Sequence, residues 1–196
     1  MRLSLLSLAA ALLVLTGCAS SSNALLPHVS STVTQEGDKA VSVAPERLVC
    51  SGGPRCPSLA ASWSGAKPGQ AQLVVSLPPP QPAVTGIDVH IGNSEVVRLR
   101  VRSGDAQDGA QAGQDSRFDV PLRLIDRLAH APRSWLRLYL AGGASIDETV
   151  RSGEERSRAS EAMAHFLAAV QTAGGAGQGL QGPSGGLFDR LGVRDK

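Results

Sequence analysis

Ile87-Asp88-Val89-His90-Ile91-Gly92-Asn93-Ser94-Glu95-Val96-Val97-Arg98-Leu99-Arg100-Val101-Arg102 is the stretch whose alternation decides the fold class. Ile87, Val89 and Ile91 fall on one side of an extended chain, with Asp88 and His90 opposite. Gly92-Asn93 is a turn signal. Beyond it Val97, Leu99 and Val101 alternate with Arg98, Arg100 and Arg102, so the stretch reads as a β-hairpin with one apolar and one polar face. Such a hairpin belongs to an antiparallel sheet covered on one side.

The same period recurs on either side. Leu73, Val75 and Leu77 alternate with polar residues until Pro78-Pro79-Pro80-Gln81-Pro82, where proline cannot donate to a ladder. Shorter extended segments are expected at Arg47-Leu48-Val49-Cys50 and from Leu59 to Ser64. Residues 103–116 carry Gly, Gln, Asp and Ala without a period and read as a loop. Arg117-Phe118-Asp119-Val120 resumes extended structure. Leu136, Leu138 and Leu140 alternate with Trp135, Arg137 and Tyr139, and Gly142-Gly143 turns into a partner strand over 144–150.

Two helices interrupt the strands. Pro121 suits a first helical turn, Leu122, Ile125, Leu128 and Ala129 recur at helical spacing, and Pro132 stops the run. Ser152-Gly153-Glu154-Glu155 has the S-x-x-E pattern of a capping box. After it Ala159, Ala162, Met163, Phe166, Leu167 and Val170 hold the helical period until Gly174-Gly175. The expected fold is α+β: an antiparallel sheet of five to seven strands packed on one face by two helices. A β-sandwich with appended helices is the alternative.

The chain has 196 residues, and its formal net charge of +2 does not suggest a nucleic-acid binder. Its N-terminus reads as an export signal. Met1-Arg2 is a minimal positive region, and Leu3 to Leu15 is about half as long as the ~20 apolar residues of a membrane-spanning helix. It ends in Leu15-Thr16-Gly17-Cys18, which resembles the lipobox of bacterial lipoproteins. The resemblance covers the first twenty or so residues. It implies that residues 1–17 are a removed signal peptide and that the Cys18 thiol takes a diacylglycerol. The acylated cysteine then becomes the first residue and holds the protein at the membrane. Each buried CH₂ contributes about 0.8 kcal/mol, and one chain alone binds only marginally, so a triacylated cysteine anchors firmly. Ala19 and Ser20 follow Cys18 where an Asp tends to favour inner-membrane retention, so the resemblance implies an outer-membrane location; the domain is expected to face the periplasm.

Residues 18–45 have no apolar period and read as the lipidated cysteine and a flexible tether. The globular domain is expected over 46–173, and a Gly-rich disordered tail over 174–196. An exported chain meets an oxidising compartment, so Cys50 and Cys56 are expected to form a disulfide. Closing that seven-residue ring stabilises by about 2.4 kcal/mol on the chain-entropy model.

Chemistry is sparse. Gly177-Gln178-Gly179-Leu180-Gln181-Gly182 fits a dinucleotide motif and Gly182-Pro183-Ser184-Gly185-Gly186 a nucleophile elbow. Both lie in the Gly-rich tail, without the strand-then-helix context each requires. Asp88 and His90 share a strand face, and His130 and His165 come from the helices; cross-strand pairing of Asp88 with the arginines is the ordinary expectation, ahead of a metal site or a hydrolase. No catalytic residue, metal or cofactor is assigned. Arg98, Arg100 and Arg102 form a row, and Arg137 lies between Trp135 and Tyr139. If the two strands are neighbours, a cationic, partly aromatic face results. Planar guanidinium forks suit carboxylates and phosphates; a solvated face partly neutralised by Asp88 and Glu95 is the plainer expectation. Leu187, Phe188, Leu191 and Val193 in the tail form a candidate docking peptide that would fold on a partner, with disorder without function as the equal alternative. The expected function is a non-enzymatic accessory or interaction module of the envelope, with an envelope protein as partner. The alternative is a binder of an anionic envelope component through the arginine face.

Overall fold

A computed structural model of the chain describes residues 26–50, 56–101 and 115–175. The described residues form ten strands and two α-helices, the second running on into a π-helical turn at Gln171–Gly175. The order is β1 (Val29–Val33), β2 (Lys39–Arg47), β3 (Ser58–Ser64), β4 (Gln70–Ser76), β5 (Val84–Ile91), β6 (Glu95–Arg100), β7 (Asp115–Pro121), α1 (Leu122–His130), β8 (Arg133–Leu140), β9 (Ser145–Ser152), β10 (Glu155–Arg156) and α2 (Arg158–Val170). The fold is α+β, as the alternation and the two helical periods predict.

The strands divide between two antiparallel five-stranded sheets, ordered β1-β2-β3-β4-β7 and β10-β9-β8-β5-β6. The chain changes sheet after β4, where the proline-rich 78–82 segment ends the ladder, and returns from β6 to β7. Period alone cannot tell one sheet from two, because the inward face reads the same in both. Val41, Val43, Leu59, Trp63, Leu73, Val75, Phe118 and Val120 of the first sheet share one core with Ile87, Val89, Leu136, Leu138 and Val150 of the second. Helix α2 lies against β1, β2 and β3 and reaches β9; α1 packs on α2 and touches β4, β5 and β7. The six apolar positions expected on α2 are all buried. No described helix is long and apolar enough to cross a membrane.

Three expectations need correcting. The folded domain starts well before residue 46, since β1 and β2 occupy 29–47 of the expected tether. Val41 and Val43 are buried there, but β1 is a border strand with little buried surface, so Ser and Thr leave no apolar alternation to read. The extended segment at 47–50 is the end of β2 and the three residues beyond it: Leu48 is buried and the Val49 N–H donates to Thr149 O at 2.9 Å. The S-x-x-E pattern is not a helix cap. Ser152 ends β9, Gly153 turns with φ +57°, and Glu155 pairs back with Ser152. The cap of α2 is Ser157, whose hydroxyl accepts from the Ser160 N–H at 3.0 Å. A Glu three residues after a Ser serves a tight turn as readily as a helix start.

Cys50 and Cys56 are joined in a disulfide with Cα atoms 5.7 Å apart. Beside it, Leu48 N–H donates to Pro57 O at 3.1 Å, closing the base of the β2–β3 connection. This connection also meets β9 of the other sheet through Val49. At the far end of α2, Gly174 adopts φ +104° and Gly175 packs against Val170 and Trp63 with no room for a side chain. Phe166 is fully buried, and Phe166→Ala is expected to lower unfolding stability by about 3–5 kcal/mol, measured by denaturant titration monitored at Trp63 and Trp135. A loss under about 1 kcal/mol would mean that α2 does not fill the core.

Candidate functional site: the outer face of the second sheet

Strand parity and register build this face. In β5–β6, Asp88 stands opposite Arg98 and Gly86 opposite Arg100. In β5–β8, Gly86, Asp88 and His90 oppose Tyr139, Arg137 and Trp135. In β8–β9, Arg137 opposes Asp147. Alternate residues on adjacent strands share a face, so four strands deliver one patch of arginine, carboxylate and aromatic side chains.

Asp88 is its centre. The Tyr139 hydroxyl donates to Oδ2 at 2.8 Å, and Arg100 Nη1 donates to Oδ1 at 3.1 Å. Arg98 Nε stands 3.9 Å from Oδ2, with its side chain 75% exposed against 8% for that of Asp88. Gly86 makes this possible. A Cβ there would lie 2.7 Å from Arg100 Cδ and 3.0 Å from Leu99 O, so the bare backbone is what lets Arg100 fold inward. The guanidinium then sits 5.0 Å from the Tyr139 ring centroid as well.

Burial pushes the Asp88 carboxyl up. The Tyr139 hydroxyl, the Arg100 hydrogen bond and the charges of Arg100 and Arg98 outweigh it, and hold the carboxyl below its ordinary value. Asp147 is lowered too, chiefly by its hydrogen bond from Arg137 against a smaller burial effect. That pair is bidentate, with Arg137 Nε to Oδ1 at 2.7 Å and Nη2 to Oδ2 at 2.6 Å. Arg137 also lies 5.5 Å from the Trp135 ring centroid, and the His90 ring stacks on Trp135 at 3.5 Å with 10° between planes. Asp88 is thus held as an acceptor, and the His90 ring as one half of a stack.

Arg98, Arg100 and Arg137 are thus brought together, on two strands flanking Asp88. Arg102 and Cys18 lie outside the described residues, as do the two glycine motifs and the docking peptide of the tail. Glu95 does not neutralise the arginine row. It has the opposite parity to Arg98 and pairs with Arg127 of α1 on the helix side. The histidines do not meet as a metal site: His130 Nδ1 lies 3.0 Å from Asp126 Oδ1 on its own helix, His165 is exposed on α2, and no group of three metal-ligating side chains occurs among the described residues. Gly86 and Asp147 were missed. Counting outward from the Gly142-Gly143 turn sets Asp147 against Arg137, a signal present in the sequence. Gly86 sits ahead of the hairpin's apolar period and left no such signal.

The lowered Asp88 carboxyl fixes a pH signature. Its stabilisation is complete above the unfolded value, about 3.9, and is lost as pH falls through the folded value. Asp88→Asn is expected to cost about 1–3 kcal/mol at pH 7, with the gap to wild type closing below about pH 4, measured by chemical denaturation at both pH values; a gap that stays constant would show that ionisation of Asp88 is irrelevant. Compared with protein-family models, with curated proteins and with solved structures, the chain matches none.

Proposed function

We propose that this chain is a lipoprotein of the bacterial envelope whose domain is a non-enzymatic interaction module, tethered through Cys18 to the outer membrane and facing the periplasm. The export signal and the lipobox-like Leu15-Thr16-Gly17-Cys18 support the anchoring. The engaged state of Asp88 supports a binding role over a hydrolytic one. A carboxylate that accepts from Tyr139 and Arg100, and is held ionised by them, is a poor proton acceptor for catalysis and a good rigid spacer between arginines.

What the spacer positions is suited to protein recognition. Trp, Tyr and Arg dominate the energetics of protein interfaces. Here Trp135, Tyr139, Arg137 and Arg100 are locked against one another before any partner arrives, which lowers the ordering cost of binding. A second reading has one observation in its favour. Arg98 projects with three-quarters of its side chain exposed, and its guanidinium would meet a phosphate or carboxylate of an envelope component.

The test is photo-crosslinking in cells from a reactive residue placed at Val96, on the same strand as Arg98 and 42% exposed. Capture of one protein that is lost with Trp135→Ala and with Arg98→Glu, and kept when the chain is truncated after Gly175, is the expected result. Capture that depends on the tail and ignores Trp135 would move the interface off this sheet. Lipid or glycan co-purifying in place of protein, and lost with Arg98→Glu, would favour the anionic ligand.

A further inference from the structure

Among the described residues the two sheets end in four border strands, and three of them are guarded. In the second sheet β6 carries Glu95, Arg98 and Arg100, and β10 is Glu155-Arg156. In the first sheet β7 carries Asp115, Arg117 and Asp119 and ends in Pro121. Charges and proline on a border strand keep it from pairing with another chain. The fourth, β1, is Val29-Ser30-Ser31-Thr32-Val33 and has neither. Pro27, which is buried, and His28 precede it; Leu26 before them is 59% exposed, and Val33, the last residue of the strand, is 68% exposed.

The free side of β1 can be read from its bonded side. Ala44 N–H donates to His28 O and Thr34 N–H to Asp38 O. Even-numbered residues of β1 therefore face β2 with their backbone groups. By the alternation of an antiparallel ladder, Val29, Ser31 and Val33 turn their N–H and C=O groups to the open edge.

We infer that β1 pairs antiparallel with β1 of a second copy of this chain, about a twofold axis at Ser31, joining two five-stranded sheets into one. The sequence is self-complementary in that register. Val29 meets Val33 of the second copy, Ser30 meets Thr32, and Ser31 meets Ser31. The pairs Val29–Val33 and Ser31–Ser31 are hydrogen-bonded pairs, each exchanging two backbone bonds. The exposed Val33 side chain gains an apolar cross-strand neighbour, and no charge on either strand opposes the approach. The twofold makes the contact closed and isologous, so it ends at a dimer and not at a filament. The other three borders, being charged, do not offer this.

The register gives a sharp test. Residues opposed as a hydrogen-bonded pair have Cα atoms about 5.5 Å apart, within the range of a disulfide at about 4.4–6.8 Å. Full chain purified from membranes in detergent is oxidised with single added cysteines at Ser30, Ser31 or Thr32, the unsubstituted chain being the control. Covalent dimer is expected at least tenfold more with Ser31→Cys than with either neighbour. Ser31→Pro removes an N–H that no bond among the described residues uses, and Ser31→Lys sets like charges across the axis. Both are expected to shift the sedimenting species from dimer to monomer, with the circular dichroism spectrum unchanged. The inference fails if the unsubstituted chain sediments as a monomer at all concentrations, if the three cysteines cross-link equally, or if Ser31→Lys remains a folded dimer.

Discussion

Ten strands hide their apolar residues only when each sheet turns one face inward, and α2 supplies the volume that lets both do so. Few aromatic rings are available, so Phe166, Met163 and Leu167 carry much of that filling. The helix is held at its start by the Ser157 cap and by Arg158, whose Nε donates to Glu46 Oε2 of β2 at 2.9 Å. It is held at its end by Gly175 against Trp63. With the helix fixed on the first sheet, the second sheet has one way to cover its own apolar face, and its opposite face is committed to solvent. The polar patch around Asp88 is a by-product of that commitment.

A polar face is not thereby an idle one. On an ordinary solvated sheet, long side chains wave and ion pairs contribute little. Around Asp88 the side chains are interlocked: Arg100 lies in the space left by Gly86, Tyr139 and Arg100 grip one carboxylate, and Arg137 joins Asp147 to Trp135. The carboxylates cancel two of the three guanidinium charges while holding the arginines in place. The surface is therefore rigid and only weakly cationic, a combination that favours shape and hydrogen-bond matching over long-range attraction.

Much of this was legible from residue order. The hairpin at 87–101, the Leu136-Leu138-Leu140 strand and the α2 face all follow from period, because each buries one side against a core. The two-sheet division was not, since strand period is blind to which sheet a strand joins. Nor was β1, where a border strand with little to bury leaves no trace in hydrophobicity. At the site, the arginine row and the aromatic strand were visible, and their meeting through Asp88 depended on β8 lying beside β5, a long-range pairing. Gly86 illustrates the limit: its value lies in what Arg100 does, and a missing side chain leaves nothing to count.

The early start of the fold changes how far the domain could stand from an anchor at Cys18. On the proposed attachment at Cys18, a folded region that began at residue 46 would have had a leash of up to about 100 Å, at about 3.6 Å per residue fully drawn out. With β1 beginning at Val29, the same limit is about 40 Å. That is comparable to the diameter of a compact domain of this size. Attached there, the domain would be confined to a thin layer above the lipid, within reach of membrane-bound neighbours and not of components deep in the compartment.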